Sequence, residues 1–164
     1  MVDTGSAARM WDAFVAARPK LAGPDATYSA WHFCDNQADA DELAELVLAG
    51  RKRATASALW FYEAEQEPLP LVGDLSVVTD WFGNARCVIR TTAVEVVAFE
   101  SVGAAFAAAE GEGDGSLEYW REAHRAAFAR ELALIGRTIE PDMPVVCERF
   151  DVVFRGQPCC QPDF

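Results

Sequence analysis

Apolar residues recur along this chain at two spacings, one near 3.6 residues and one of 2, and the switches between them outline the elements. From Ser6 to Arg18, Met10, Trp11, Phe14 and Val15 fall on one helical face, with Ser6 at the N-cap position. Pro19 and the Gly23-Pro24 pair end that helix and open a loop. Tyr28 to Cys34 is dense in aromatics and reads as a strand. The next stripe, Leu43, Leu46 and Val47, predicts a helix from Ala38 to Ala49 that Asp35 or Asn36 can cap and Gly50 can close.

From Arg53 to Ser57 the period becomes 2. Arg53, Thr55 and Ser57 point one way, Ala54 and Ala56 the other, which predicts a short strand with one polar and one closely packed face. Leu59 to Glu65 fits a helical turn, and Pro68 and Pro70 break regular structure after it. Strands are predicted over Asp74–Thr79 and Cys87–Thr92, joined by the loop Asp80-Trp81-Phe82-Gly83-Asn84, and the sheet resumes after a bend at Val94–Phe99. Helices are predicted over Ser101–Ala109 and Ser116–Ile135, and a last strand over Val145–Phe154. Strands and helices without regular alternation predict an α+β fold whose small, mostly antiparallel sheet curls into a barrel flanked by helices. No repeat and no internal boundary appears: 1–27 reads as an N-terminal helix and loop packed on a domain at 28–154, with 155–164 as a loose tail.

Composition and charge change this picture in several respects. The 164 residues fit one domain. Fourteen basic against 26 acidic side chains, a net charge of −12, argue against a protein that grips duplex DNA over its whole surface, since such grip comes from phosphate neutralisation. Arg51-Lys52-Arg53 stands out on that background as a local basic turn, which suits a small nucleoside-like ligand or a short single-stranded RNA. A cytoplasmic monomer or weak dimer is expected, because no apolar stretch nears the roughly 20 residues of a bilayer span and the N-terminus carries no secretion pattern. The five cysteines, Cys34, Cys87, Cys147, Cys159 and Cys160, are odd in number and form no C-x-x-C, so neither disulfides nor zinc is expected, and no cofactor is implied.

Three segments carry possible chemistry. In Gly50-Arg51-Lys52-Arg53-Ala54-Thr55, the lysine sits on a bend and the threonine on the strand behind it. Flanking arginines and burial both disfavour the lysine's charge, and a neutral lysine can take the proton of a threonine hydroxyl. On spacing alone, a solvated basic turn with Thr55 chosen for β propensity weighs more. In Glu110-Gly111-Glu112-Gly113-Asp114, carboxylates interleaved with glycines suit acid–base work or pairing with a lysine. A flexible acidic linker with Asp114 or Ser116 capping the next helix weighs equally. Trp120 and His124, four apart, share a helical face that either lines a pocket for a planar base or, more often, belongs to the core. Trp31, Phe33, Trp60 and Trp81 are core or rim aromatics by the same reasoning, any of which can stack on a base. No G-x-S-x-G elbow, P-loop or EF-hand spacing occurs.

Gly50-x-Lys52-x-x-Thr55 after a helix, Gly73-Asp74 before a strand, and Ala109-Glu110-Gly111 followed by Glu112-Gly113-Asp114, Leu117, Trp120-Arg121 and His124 together resemble the ASCH domain family, relatives of the PUA-like RNA-binding domains. The likeness covers about Trp31 to Phe154 and points to the larger bacterial subgroup. It implies a PUA-like β-barrel with a cleft lined by the Lys-x-x-Thr turn and the Glu-Gly segment, with an extra N-terminal helix here. In the small bacterial ASCH amidohydrolases that deacylate acetylcytidine, Lys, Thr and Glu at the matching places serve catalysis. Carried over, Thr55 would be the nucleophile, Lys52 its base and Glu110 the acid/base. Arg51, Arg53, Ser57, Trp31, Phe33, Glu112, Asp114, Trp120 and His124 are the candidate substrate-binding residues. The family also implies two alternatives, a ribonuclease acting on single-stranded RNA and a non-catalytic RNA or nucleoside binder.

Overall fold

A computed structural model describes residues 5–156. Along these residues run α1 (Ser6–Ala17), α2 (Pro19–Ala22), β1 (Ser29–Trp31), α3 (Gln37–Leu48), β2 (Ala54–Ala58), α4 (Leu59–Glu65), β3 (Leu75–Thr79) and β4 (Ala85–Ala98). A 3₁₀ turn (Phe99–Ser101), α5 (Ala104–Glu110), α6 (Leu117–Ala133) and β5 (Pro144–Phe154) complete the order. The five strands hydrogen-bond in the order β1-β3-β4-β5-β2, so the fold is mixed α+β with six α-helices among the described residues. No described helix is long and apolar enough to cross a membrane.

The described residues group into two compact units, each built from separated stretches of chain, one from 5–48, 75–90 and 152–156 and the other from 49–74 and 91–151. The chain crosses between the units several times, and for that reason no linker is readable in the sequence.

In the first unit β1 runs parallel to β3, with Ala30 opposite Val77, and β3 runs antiparallel to β4, with Val77 opposite Val88. Phe14, Ala22, Leu75, Val77 and Val88 form its buried cluster. Trp11 stacks on Tyr28 at 4.6 Å. Asp80 makes the predicted hairpin loop by accepting from the Phe82 and Asn84 amides.

In the second unit β2 pairs antiparallel with β5, Thr55 opposite Glu148 and Ala56 opposite Cys147. Ala54 and Ala58 are fully buried against a cluster of Phe99, Phe106, Trp120, Phe128, Leu132, Met143 and Val145. Alanines on this face of β2 let α5 come close, and each large side chain so buried stabilises by about 1.5–3 kcal/mol.

Several expectations are corrected. Ser6 does not cap α1; its hydroxyl accepts from the Ala85 amide, 79 residues away, and Gly5 holds the N-cap position. The loop expected after Pro19 begins with a helical turn, since proline fits the first helical position. The first strand shrinks to three residues, ending before Cys34, whose φ is +56°. The bend expected before Val94 is absent and β4 runs unbroken for 14 residues. Asn36 does cap α3, accepting from the Asp39 amide at 3.0 Å.

Candidate active site

Lys52 leaves α3 behind through Gly50 and enters the second unit just before β2. Two backbone bonds lock this turn: Arg53 N donates to Ala109 O at 2.7 Å, and Phe150 N donates to Arg53 O at 3.0 Å. The first ties the turn to the end of α5, where Gly111 terminates the helix with φ +64°. A Cβ on Gly111 would lie well inside contact distance of the Arg51 carbonyl, so only glycine lets the two backbones meet. Gly113, at φ +55°, is pressed against the Tyr119 ring in the same way. The glycines therefore permit the approach that swings Glu110 and Glu112 onto Lys52.

The result is a connected cluster of four ionisable groups. Lys52 Nζ donates to Glu112 Oε1 at 2.6 Å and lies 3.7 Å from Glu110 Oε2, which in turn stands 3.1 Å from His124 Nε2. Side-chain exposure is 1% for Lys52 and Glu110, 11% for His124 and 18% for Glu112. His124 stacks on Trp120 at 4.2 Å and 15°, with Nδ1 bonded to the Trp120 carbonyl at 2.9 Å. Ser116 starts α6 by accepting from the Tyr119 amide, setting the helix that presents this face.

The electrostatics are set by that geometry. Burial pushes the Glu110 carboxyl upward, yet the Lys52 ammonium, ahead of His124, overrides it and draws it down to about 2. Glu112 is raised, burial and the Glu110 charge together outweighing Lys52. His124 is raised as well: burial opposes its charge, but Glu110 and then Glu112 favour it more strongly. Both Glu110 oxygens and Trp120 Nε1 lack a well-aligned hydrogen bond despite full burial, so Glu110 is held by charge rather than by directed bonds. Glu110, Glu112 and His124 each offer a ligand atom within 4.8 Å of one another, the spacing of a metal site. The Lys52 ammonium already sits against both carboxylates and supplies the positive charge there.

Lys52 and Glu110 thus meet, as do Glu112, Trp120 and His124 among the candidate binding residues. Arg51 Nη2 donates to Gly113 O at 3.4 Å, and Arg53 Nη1 turns back to Lys52 O at 3.2 Å. Asp114 accepts from the Ser116 amide at 2.9 Å, hydrogen bonding that keeps its carboxyl below the usual range. Trp120 is a core residue. Trp31 and Phe33 belong to the first unit, in edge contact at 4.9 Å. Cys34, Cys87 and Cys147 form no disulfide, and burial pushes the Cys147 thiol up to about 12; Cys159 and Cys160 lie outside the described residues.

Thr55 and Ser57 project from the face of β2 opposite to Ala54 and Ala56. Across the ladder stands Glu148, whose Oε1 accepts from the buried Thr91 hydroxyl at 2.6 Å. Burial raises the Tyr62 hydroxyl on α4, with nearby Ser57 pulling it down and the Glu148 charge pushing it further up. Thr91, Tyr62 and Glu148 are residues that reading the sequence alone passes over. The available signal is Glu148 itself, an acid that directly follows the apolar run Val145-Val146-Cys147.

The sequence profile of the ASCH domain matches residues 29–154. The chain belongs to the ASCH domain family. It is similar to the ASCH domain of Lactobacillus crispatus JV V101, at 35% identity over 94% of this chain and 100% of that one, with a TM-score of 0.83. A protein from Enterococcus faecalis V583 is comparably similar, at 33% identity over 93% and 91% of the two chains and a TM-score of 0.84. No curated protein matches. The shared fold puts this ASCH domain among structures of its own length.

Proposed function

We propose that this ASCH domain is a metal-independent hydrolase that cleaves the amide of a small nucleoside-like substrate. The observation that supports the reading is the convergence of an ammonium, two carboxylates and an imidazole, contributed by segments some 60 residues apart, in one buried cluster. In this scheme Lys52 passes a proton to Glu112, whose carboxyl is raised and therefore receptive. The scheme requires that Thr55, which leaves β2 on the face away from the Lys52 cluster, come within reach of the Lys52 amine; its hydroxyl then attacks the amide carbonyl carbon and gives its proton to the neutral Lys52. The C–N bond breaks, its electron pair stays on nitrogen, and the His124–Glu110 pair supplies the proton that makes the leaving amine. Water then hydrolyses the Thr55 ester, releasing the carboxylic acid and restoring the hydroxyl, and the proton held by Glu112 replaces the one the His124–Glu110 pair gave up. The reading carries with it a PUA-like barrel over 28–154 with 1–27 as an addition, a cytoplasmic location, and a small-molecule partner rather than duplex DNA.

The test is incubation of the pure protein with acetylcytidine and related amides, product being followed by chromatography. Turnover is expected, with a loss of at least about 100-fold in Thr55→Val and in Glu112→Gln. Absence of turnover by the unaltered protein, or undiminished turnover by Thr55→Val, sinks the proposal. The near-complete burial of Lys52 and Glu110 favours a second reading, in which the four ionisable groups only brace the fold and the domain binds a nucleoside or short RNA without changing it. That reading predicts ligand-induced stabilisation with no product.

A further inference from the structure

The face that carries Thr55 holds a second set of polar groups that the hydrolase scheme leaves unused. Thr55 and Glu148 are directly opposite in an antiparallel pair, which brings their Cβ atoms to about 4.5–5.5 Å on one side of the sheet. Ser57 lies two residues along the same side, and Tyr62 on α4 stands near enough to Ser57 and Glu148 for both to act on its hydroxyl. Thr55, Ser57, Tyr62 and Glu148 are all partly exposed, in contrast to the nearly sealed Lys52 and Glu110. Thr91, itself buried, donates to Glu148 Oε1 and fixes the carboxyl's position.

Charge narrows what such a surface accepts. The groups acting on Glu148 and Tyr62 are Thr91, Ser57 and the carboxylates of Asp74 and Glu67, and none is a cation. Arg53 has the same strand parity as Thr55, but its guanidinium is turned back to the Lys52 carbonyl. A phosphate brought here would meet the Glu148 carboxylate with those of Asp74 and Glu67 near it, whereas an N–H donor would find an oriented acceptor beside three hydroxyls.

We infer that Glu148, held by Thr91, is the specificity-determining residue of this domain, accepting a hydrogen bond from an N–H group of an uncharged ligand laid over Thr55, Ser57 and Tyr62 and turning away phosphorylated forms of it. The inference deepens the hydrolase reading and rests on it for the chemistry at Thr55. Its own claim concerns binding: a nucleoside is admitted and the corresponding nucleotide is refused. Burial, with Asp74 adding to it, raises the Glu148 carboxyl, consistent with a group that gains from a donor brought to it.

Titration calorimetry with cytidine, acetylcytidine and cytidine 5′-monophosphate, on the unaltered chain, Glu148→Gln and Tyr62→Phe, tests this, with turnover of acetylcytidine measured in parallel. The unaltered chain should bind the nucleosides at least roughly tenfold more tightly than the monophosphate, the scale of one charge-assisted hydrogen bond. Glu148→Gln should weaken nucleoside binding by roughly tenfold and shrink the preference to within about threefold. Tyr62→Phe, which leaves Glu148 in place, should weaken binding by a few-fold while the preference survives, and it serves should Glu148→Gln not fold. Equal affinity for nucleoside and monophosphate in the unaltered chain, no binding of any of the three, or Glu148→Gln with unchanged affinity and preference overturns the inference. Binding with the expected preference but no product supports it while the hydrolase reading fails. Product formed with Glu148→Gln unchanged in KM and kcat leaves the hydrolase standing and removes Glu148.

Discussion

The two faces of β2 handle polarity in opposite ways. On the side of Ala54 and Ala56 the chain packs α5 and α6 closely and seals a lysine, two glutamates and a histidine among aromatic rings, where each charge is tolerated only because another stands beside it. On the side of Thr55 and Ser57 neutral hydroxyls surround one carboxyl that keeps part of its surface in water. Glu110 and Glu148 titrate in opposite directions, Glu110 down because Lys52 and then His124 outweigh its burial, Glu148 up because burial, with Asp74 adding to it, outweighs the bond from Thr91. The same residue type thus serves as a fixed charge on one face and as an adjustable acceptor on the other.

The sharpest way to break this contrast is Lys52→Met, which leaves Glu110 charged and unanswered in the core. About 3–5 kcal/mol of stability should be lost, read as a large fall in the denaturant midpoint. A loss under about 1 kcal/mol would mean that the pair is not sealed. Gly111→Ala attacks the same region through its backbone, forcing a side chain into the left-handed region and against the Arg51 carbonyl. Roughly 3 kcal/mol should go, with the Thr55 face left intact by the criterion of nucleoside binding.

Acid titration separates the two glutamates by sign. Glu110 is depressed from 4.5 to about 2, so its contribution is full above pH 4.5 and fades as the pH falls toward 2. The stability gap between the unaltered protein and Glu110→Gln should therefore close across that window in a pH series of urea melts. Glu148 is raised, so its burial is tolerated best below its ordinary value of 4.5 and costs stability as the pH rises through the folded value. Glu148→Gln should consequently gain on the unaltered protein as the pH rises above 4.5, the opposite sign to Glu110→Gln. The smallest effect expected is that of Ser116→Ala, about 1 kcal/mol or less from loss of the cap on α6, seen as a shift of a few degrees in Tm.

What the sequence discloses divides along the same line. Lys52 and Glu110 are legible because a basic turn and a glycine-broken acidic stretch are chemically complementary and match a family pattern. The helix α4 and the cap on α6 are legible because their signals are local. Glu148 is not, since a single glutamate in a strand acquires meaning only through the register that sets it against Thr55 and the hydroxyl that Thr91 brings. The partner of Ser6, Ala85, lies 79 residues away and is invisible for the same reason. The bend expected in β4 is a local reading overruled by pairing: nothing in Thr91-Thr92-Ala93 forbids an extended backbone.

The 60-residue separation of Lys52 from Glu112 also bears on how the molecule is made. During synthesis the lysine emerges well before any of its counter-ions and must stay hydrated until α5 and α6 exist. Closing so long a span is entropically slow to be rewarded, so the ion pair belongs to the late part of folding and its loss should speed unfolding more than it slows folding.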